Sequence, residues 1–441
     1  MRNKKTLAVA ILGALFAGNA GAVVLGVDNP LVFAKEINTA VSGGVTLQTS
    51  AATNGDLEWK VGYNFSDGET RYVRLSCSNN IKFDAGSNIA FSNTNADVGS
   101  INGLGSNVVS FSITSDAAGN IVTGDTFILT GNHKVTDSNP VTCEAALYDQ
   151  PSQAQAGGTN GLITVSKQSG TYITYAKSFV FEGESWEAVA DVEATPVAYG
   201  YFESGSYAQL GWLTYSTVYP TPLDKDGAPI DLSDIFGSDT TVEIAGDFTG
   251  IYDAHWYWHP DAMDESVATY EVGGNGIDYY VEAWAYGDEA LNEGEFTATL
   301  IPEVNTGYVV GTINPVKVGK IVRNGTQLQA PLAQVPGGWI SRMVLTNTGN
   351  VDRDFAITVF GEEGNTITID ASKATGVVPA NGTFVLDLND LLTGFTAGQA
   401  PRATLNVTVA APNNQIQGLY QIVNGEKGSI SNHVMVRPGT N

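Results

Sequence analysis

The chain has 441 residues, 50 glycines, two cysteines, and 46 acidic against 21 basic side chains, a formal net charge of −25. Its length allows roughly two to four domains with real cores. A chain this acidic repels phosphate backbones and anionic lipid headgroups, which excludes nucleic acid as a partner and favours divalent cations and basic groups.

In chain order, the first predicted element is an export signal. Arg2, Lys4 and Lys5 precede an uncharged apolar stretch over 7–17, and Ala20-Gly21-Ala22 fits the small-x-small cleavage rule. Residues 1–22 are therefore expected to be a Sec-type signal peptide, with Val23 the first mature residue. The apolar stretch is shorter than the about 20 residues a span needs. No later segment is long and apolar enough, so the mature chain is expected to lack a transmembrane segment and to work extracellularly, at the cell surface or in the periplasm. Removing 1–22 takes away three basic side chains and leaves 18 − 46 = −28. Residues 23–27 and 31–34 are apolar and β-prone. They form either the first strand of their own domain or a strand donated to a neighbouring subunit.

Helical periodicity is nearly absent beyond a short piece at 387–392. Alternating β-branched and aromatic residues recur at 108–113, 126–129, 172–181, 242–248, 357–369 and 405–409. Asp67-Gly68, Asp226-Gly227 and Asn381-Gly382 are among the turn signals between them. The fold class predicted is all-β, with tandem β-sandwich domains of jelly-roll or immunoglobulin-like type.

Composition divides the mature chain. Residues 23–177 read as an N-terminal β-sandwich with one disulfide, Cys77 to Cys143, both in strand-like runs and both in an exported chain. Residues 178–305 read as an acidic, aromatic-rich β domain: over 180–305 there are 25 acids against Lys225 alone, a net −24. Residues 306–335 contain Lys317, Lys320, Arg323 and no acid, and read as basic connecting strands or a linker. Residues 336–441 read as a C-terminal immunoglobulin-like β-sandwich.

The acidic block holds the candidate sites. Asp224-Lys225-Asp226-Gly227, followed by Asp231 and Asp234, sets carboxylates around a tight turn and is a candidate Ca²⁺ site. It lacks the third early ligand and closing Glu of an EF-hand, and an Asp-Gly hairpin turn explains the same residues. His255 and His259 share one face of a strand, a candidate transition-metal pair or simply structural histidines. Five of the seven tryptophans lie here: Trp186, Trp212, Trp256, Trp258 and Trp284. Exposed, they would stack on sugar rings while carboxylates accept hydroxyl hydrogen bonds, with Trp256 and Trp258 the candidate glycan-stacking pair. Buried, they would fill a sandwich core.

Catalysis has little support. His133, His255, His259 and His433 sit in no triad or metalloprotease motif, and there is no phosphate-binding loop. The 46 acids leave open only the carboxylate pair of a carbohydrate-active enzyme. The protein is expected not to be an enzyme and to require no cofactor, with Ca²⁺ the ion its carboxylates would take.

The stretch 339–388, with Arg402-Ala403-Thr404-Leu405 and Gly428-Ser429-Ile430-Ser431-Asn432-His433, carries a resemblance of architecture. Together with the export signal, the acidity and the scarcity of Cys, Met and His, it resembles Sec-exported, multidomain β-sandwich surface-layer or surface-fibre proteins of Gram-negative bacteria. The resemblance implies a non-enzymatic extracellular structural protein that forms or decorates a cell-surface layer or fibre and is stabilised by calcium. It implies partners in self-association or other surface components. The alternative is an adhesin or carbohydrate-binding protein that meets glycans through the Trp/Tyr-rich acidic region.

Overall fold

A computed structural model describes residues 23–438 except 28, 51, 53–54, 95, 117–119, 256–258, 335–338, 364–366 and 396–401. The export signal at 1–22 lies outside the described residues, as do Trp256 and Trp258. The protein is built mostly of strands in several sheets, with three short helices among the described residues, Pro151–Ala156, Leu232–Ile235 and Leu388–Leu391. The last is the helix-like piece expected at 387–392, begun by the Asp387 carboxylate accepting from Asn389 N–H at 2.9 Å.

The strands form where alternation allows one buried face. Val108–Ser115 and Arg402–Val409 bury every second residue. Each fully buried Leu, Val or Phe contributes about 1.5–3 kcal/mol relative to exposure. Residues 23–176 supply a six-stranded sheet and two smaller ones. Thr70–Cys77 and Val141–Tyr148 are neighbours in the six-stranded sheet, with Cys77 directly opposite Cys143, and the two form a disulfide. Of the two readings of the apolar N-terminus, the intramolecular one is seen. Val23–Val24 pairs with Leu57–Lys60, and Leu31–Ala34 with Leu162–Ala176.

The next sheets draw on 179–323. One has four strands in the order Phe179–Ser185, Tyr207–Thr217, Ile277–Ala285, Ile251–His255. The other has six strands and includes Glu187–Ala190, Val316–Arg323 and Gly294–Ile301. The strand expected over 172–181 is in fact two, Leu162–Ala176 and Phe179–Ser185. The chain changes sheet at Ser178, whose N–H and hydroxyl both bond the buried Glu36 carboxylate (3.2 and 2.6 Å).

The basic stretch 306–335 divides between neighbours. Val316–Arg323 joins the six-stranded sheet of the acidic region, and Thr326–Gln334 joins a C-terminal sheet. Lys317 pairs with Glu295 at 2.7 Å and Lys320 with Glu187 at 2.6 Å, so part of the acidic charge is compensated within the molecule.

Residues 326–434 supply two four-stranded sheets and one of two strands. The strand expected over 357–369 is likewise divided, into Arg353–Gly361 and Thr368–Ile369. One continuous core runs from Val23 to Ile321, and a second from Leu328 to Met435. Among the described residues no helix is long and apolar enough to cross a membrane.

Candidate functional site

The four-stranded sheet of the acidic region has one face on the core and one open. On Ile277–Ala285 the inward residues are Ile277, Val281, Ala283 and Ala285, all buried. Between them Asp278, Tyr280, Glu282 and Trp284 take the other face. On Tyr207–Thr217 the residues Tyr207, Gln209, Trp212 and Thr214 do the same, while Leu213 and Tyr215 are buried. A register shift between Gln209 and Gly211 keeps the outward set outward.

Cross-strand register then builds the site. Glu184, Trp212 and Tyr280 form one row, and Glu182, Thr214 and Asp278 the next. Trp212 and Tyr280 meet edge to face at 4.6 Å, and Trp186 lies 5.5 Å from Tyr280. The Trp212 Nε1–H donates to Asp278 Oδ1 at 2.8 Å, and the Thr214 hydroxyl donates to the same oxygen at 3.1 Å. Asp278 thus fixes the ring of Trp212 while keeping a second oxygen for another donor. Farther along, Tyr207 stacks on Trp284 at 4.8 Å, and Gln209 Nε2 donates to Glu282 at 3.4 Å. Tyr280 is 41 % exposed and Trp212 is half-buried. The exposed tyrosines of the described chain, Tyr207, Tyr219, Tyr252, Tyr279, Tyr280 and Tyr286, all fall within this one region. Tyr207 and Tyr280, exposed beside the half-buried Trp212 and Trp284 on this face, mark an interaction surface.

The carboxylates nominated for Ca²⁺ do other work. Asp224 Oδ1 accepts from the N–H groups of Asp226 and Ala228 at 2.9 and 2.8 Å, closing the turn. Asp226 pairs with Lys225 and accepts from Gln48 Nε2 at 2.6 Å. Gly227 has φ +83°, and a Cβ there would lie 2.7 Å from the Gln48 carbonyl oxygen. The turn therefore docks on the N-terminal region. Asp231 and Asp234 form the capping box of the Leu232–Ile235 helix. Asp224 Oδ1, both oxygens of Asp226 and Asp234 Oδ2 are thus engaged with backbone N–H groups, Gln48 and Lys225. Among the described residues no group of three or more His, Cys, Asp or Glu side chains comes together to hold a metal ion. His259 Nδ1 lies 2.7 Å from Asp253 Oδ2. The side chain of His255 is outside the described residues, as are Trp256 and Trp258.

The sequence places Trp212 and Tyr280 only among the aromatics of the acidic block, favours Trp256 and Trp258 as the stacking pair, and does not mark Asp278. The signal was a period of two from Tyr280 on: Tyr280, Glu282 and Trp284 alternate with Val281, Ala283 and Ala285, while Tyr279 breaks the pattern before them. That pattern puts the aromatics on the face opposite the core.

No protein-family model matches the chain. No curated protein shows significant sequence similarity to it.

Proposed function

We propose that the protein is a non-catalytic, exported surface protein that binds carbohydrate through the open face of its acidic four-stranded sheet. The observation that carries this reading is the row Glu184–Trp212–Tyr280 beside Asp278. Two aromatic rings stand on a rigid sheet, one of them held by a hydrogen bond, with carboxylates on either side. Ring faces take the apolar C–H face of a sugar, and carboxylates accept its hydroxyls. The site is an open sheet face rather than a deep cleft, which suits binding along a chain of sugars. Charge selects the ligand class. Residues 179–323 hold 25 acids and four bases, 4 − 25 = −21, so the favoured glycans are neutral or amino sugars and the disfavoured ones uronic or sialic acids. The disulfide agrees with a life outside the reducing cytoplasm. The sheets of 23–176, 179–323 and 326–434 form tandem sandwiches in this reading, with the first two sharing a core.

The test is an array of neutral, amino and acidic glycans probed with the protein and with Trp212→Ala. Retention on neutral or amino glycans that is lost in the variant supports the proposal. No binding to any class contradicts it.

A second reading, a subunit of a surface layer or fibre, is favoured by a separate observation: the uncovered, uncharged edge strand Ser429–Val434.

A further inference from the structure

Ser429–Val434 is the edge of its four-stranded sheet, and all six of its residues are exposed. It pairs on one side with Ile416–Asn424, without a register shift, and no described strand pairs with the other side of these six residues; just past them, Val436 exchanges bonds with Gln329 of Thr326–Gln334 at 2.7 and 2.9 Å, which bounds the open edge at Val434. Natural sheet edges are blunted by charge, proline, bulges or cover. This edge has no Lys, Arg, Asp, Glu or Pro.

Its polarity can be derived from one bond. Met435 N–H donates to the Gly418 carbonyl at 2.9 Å. Alternation along an antiparallel ladder then turns the amides of Ser429, Ser431 and His433 toward the neighbouring strand, and those of Ile430, Asn432 and Val434 outward. The side chains of these last three share one face of the sheet, and Ile430 and Val434 are 62 % and 77 % exposed.

That face is striped. Val385, Val344, Leu419 and Val434 lie in one apolar row across the sheet. Ile340, Val423 and Ile430 lie in another. Between them runs a polar row, in which Arg342 bonds Gln421 and Gln421 Nε2 donates to Asn432 at 2.6 Å.

We propose that this edge pairs with the same edge of a second copy, antiparallel and about a two-fold axis at Asn432. In that register Asn432 meets Asn432 of the second copy, and Ile430 meets its Val434 on either side of the axis. Each apolar row runs into an apolar row, polar meets polar, and outward N–H groups meet outward carbonyls. A slip of two residues would set Asn432 against an aliphatic side chain, and a slip of one would misalign the outward amides. Self-complementarity of this kind selects a closed dimer. Six paired residues cover less than the about 1,600 Å² of a standard interface, so the dimer is reversible. The proposal supplies one contact of the self-association in the layer-or-fibre reading, on which it rests, and a layer or fibre would need a second, different contact; it is independent of the glycan face.

Sedimentation equilibrium of the protein from about 1 to about 500 µM tests it. The expected result is an average mass that climbs toward twice the monomer mass. Asn432→Pro removes an outward N–H and the side-chain bond from Gln421 but no backbone bond to Ile416–Asn424, so it is expected to stay monomeric with an unchanged circular dichroism spectrum, whereas Asn432→Ala, which removes only the side-chain bond, is expected still to dimerise. Under mild oxidation Asn432→Cys is expected to give a covalent dimer, because residues facing each other across the axis lie about 5.5 Å apart between Cα atoms. Ile430→Cys is expected not to, its two copies being more than about 10 Å apart. A mass that stays monomeric throughout overturns the proposal and leaves glycan binding standing. Equal cross-linking at the two positions also overturns it, as does a dimer undiminished by Asn432→Pro.

Discussion

At the scale of single residues, the account turns on which polar groups are occupied. Asp278 gives one oxygen to Trp212 and Thr214 and so holds an aromatic ring upright on an open sheet. Asp278→Asn keeps the shape but loses the charge on the acceptor. It is expected to weaken glycan binding about five- to tenfold by titration calorimetry, with little change in melting temperature. A second residue governs response to acid. His133 is buried, and its Nε2 lies 3.2 Å from the Tyr172 hydroxyl. That hydroxyl donates to the Gly55 carbonyl at 2.8 Å, so His133 Nε2–H is the donor to it. Burial pushes the His133 pKa down to about 4, against small opposing effects of the Asn132 backbone and Asp84. The unfolded chain protonates this residue near its ordinary value of 6.5, so the unfolded state binds more protons below that pH. Stability is complete above about pH 6.5 and falls as pH drops toward 4, by up to roughly 3 kcal/mol. Denaturant titrations at pH 7 and pH 4.5 should show that loss, and His133→Gln should shrink it.

At the scale of elements, much was legible and some was not. Alternation located the strands Val108–Ser115, Thr126–Thr130, Thr241–Ala245 and Arg402–Val409, because a half-buried strand must repeat every two residues. The Asp387-led turn of helix was legible for a similar reason: a capping carboxylate is a local device. The joint at Ser178 was read through as continuous strand, since its cause is Glu36, 142 residues earlier. The pairing of Tyr207–Thr217 with Ile277–Ala285 is equally non-local, and with it the row of Trp212 and Tyr280. The Asp224–Gly227 segment reads in sequence either as a cation loop or as a hairpin turn, because both uses place carboxylates at a bend. Its contacts with Gln48 come from distant chain. Asp224→Ala removes an acceptor shared by two backbone N–H groups and is expected to cost about 1–2 kcal/mol. The loss should be the same in calcium and in chelator; a loss seen only in calcium would restore the ion-binding reading. The disulfide joins neighbouring strands across a separation of 66 residues. Loop closure of that length predicts roughly 4 kcal/mol of stabilisation, to be measured as a lowered denaturation midpoint in Cys77→Ala/Cys143→Ala.

At the scale of the whole molecule, charge and aromatic exposure coincide. The acidic region carries the exposed tyrosines, while Val316–Arg323 inserts its basic side chains into the acidic region's other sheet. The aromatic face is thus left negative, a surface suited to hydroxyl and amino donors. The edge strand of the C-terminal sheet lies on a different core, so binding and self-pairing are separable. Glycan binding on this face rests on Trp212. It is tested most directly by titrating the strongest neutral or amino glycan into the protein and into Trp212→Ala, with melting curves of both. The account predicts a loss of about 2 kcal/mol, roughly thirtyfold in Kd, with the fold intact. An unchanged Kd in a folded Trp212→Ala would contradict it.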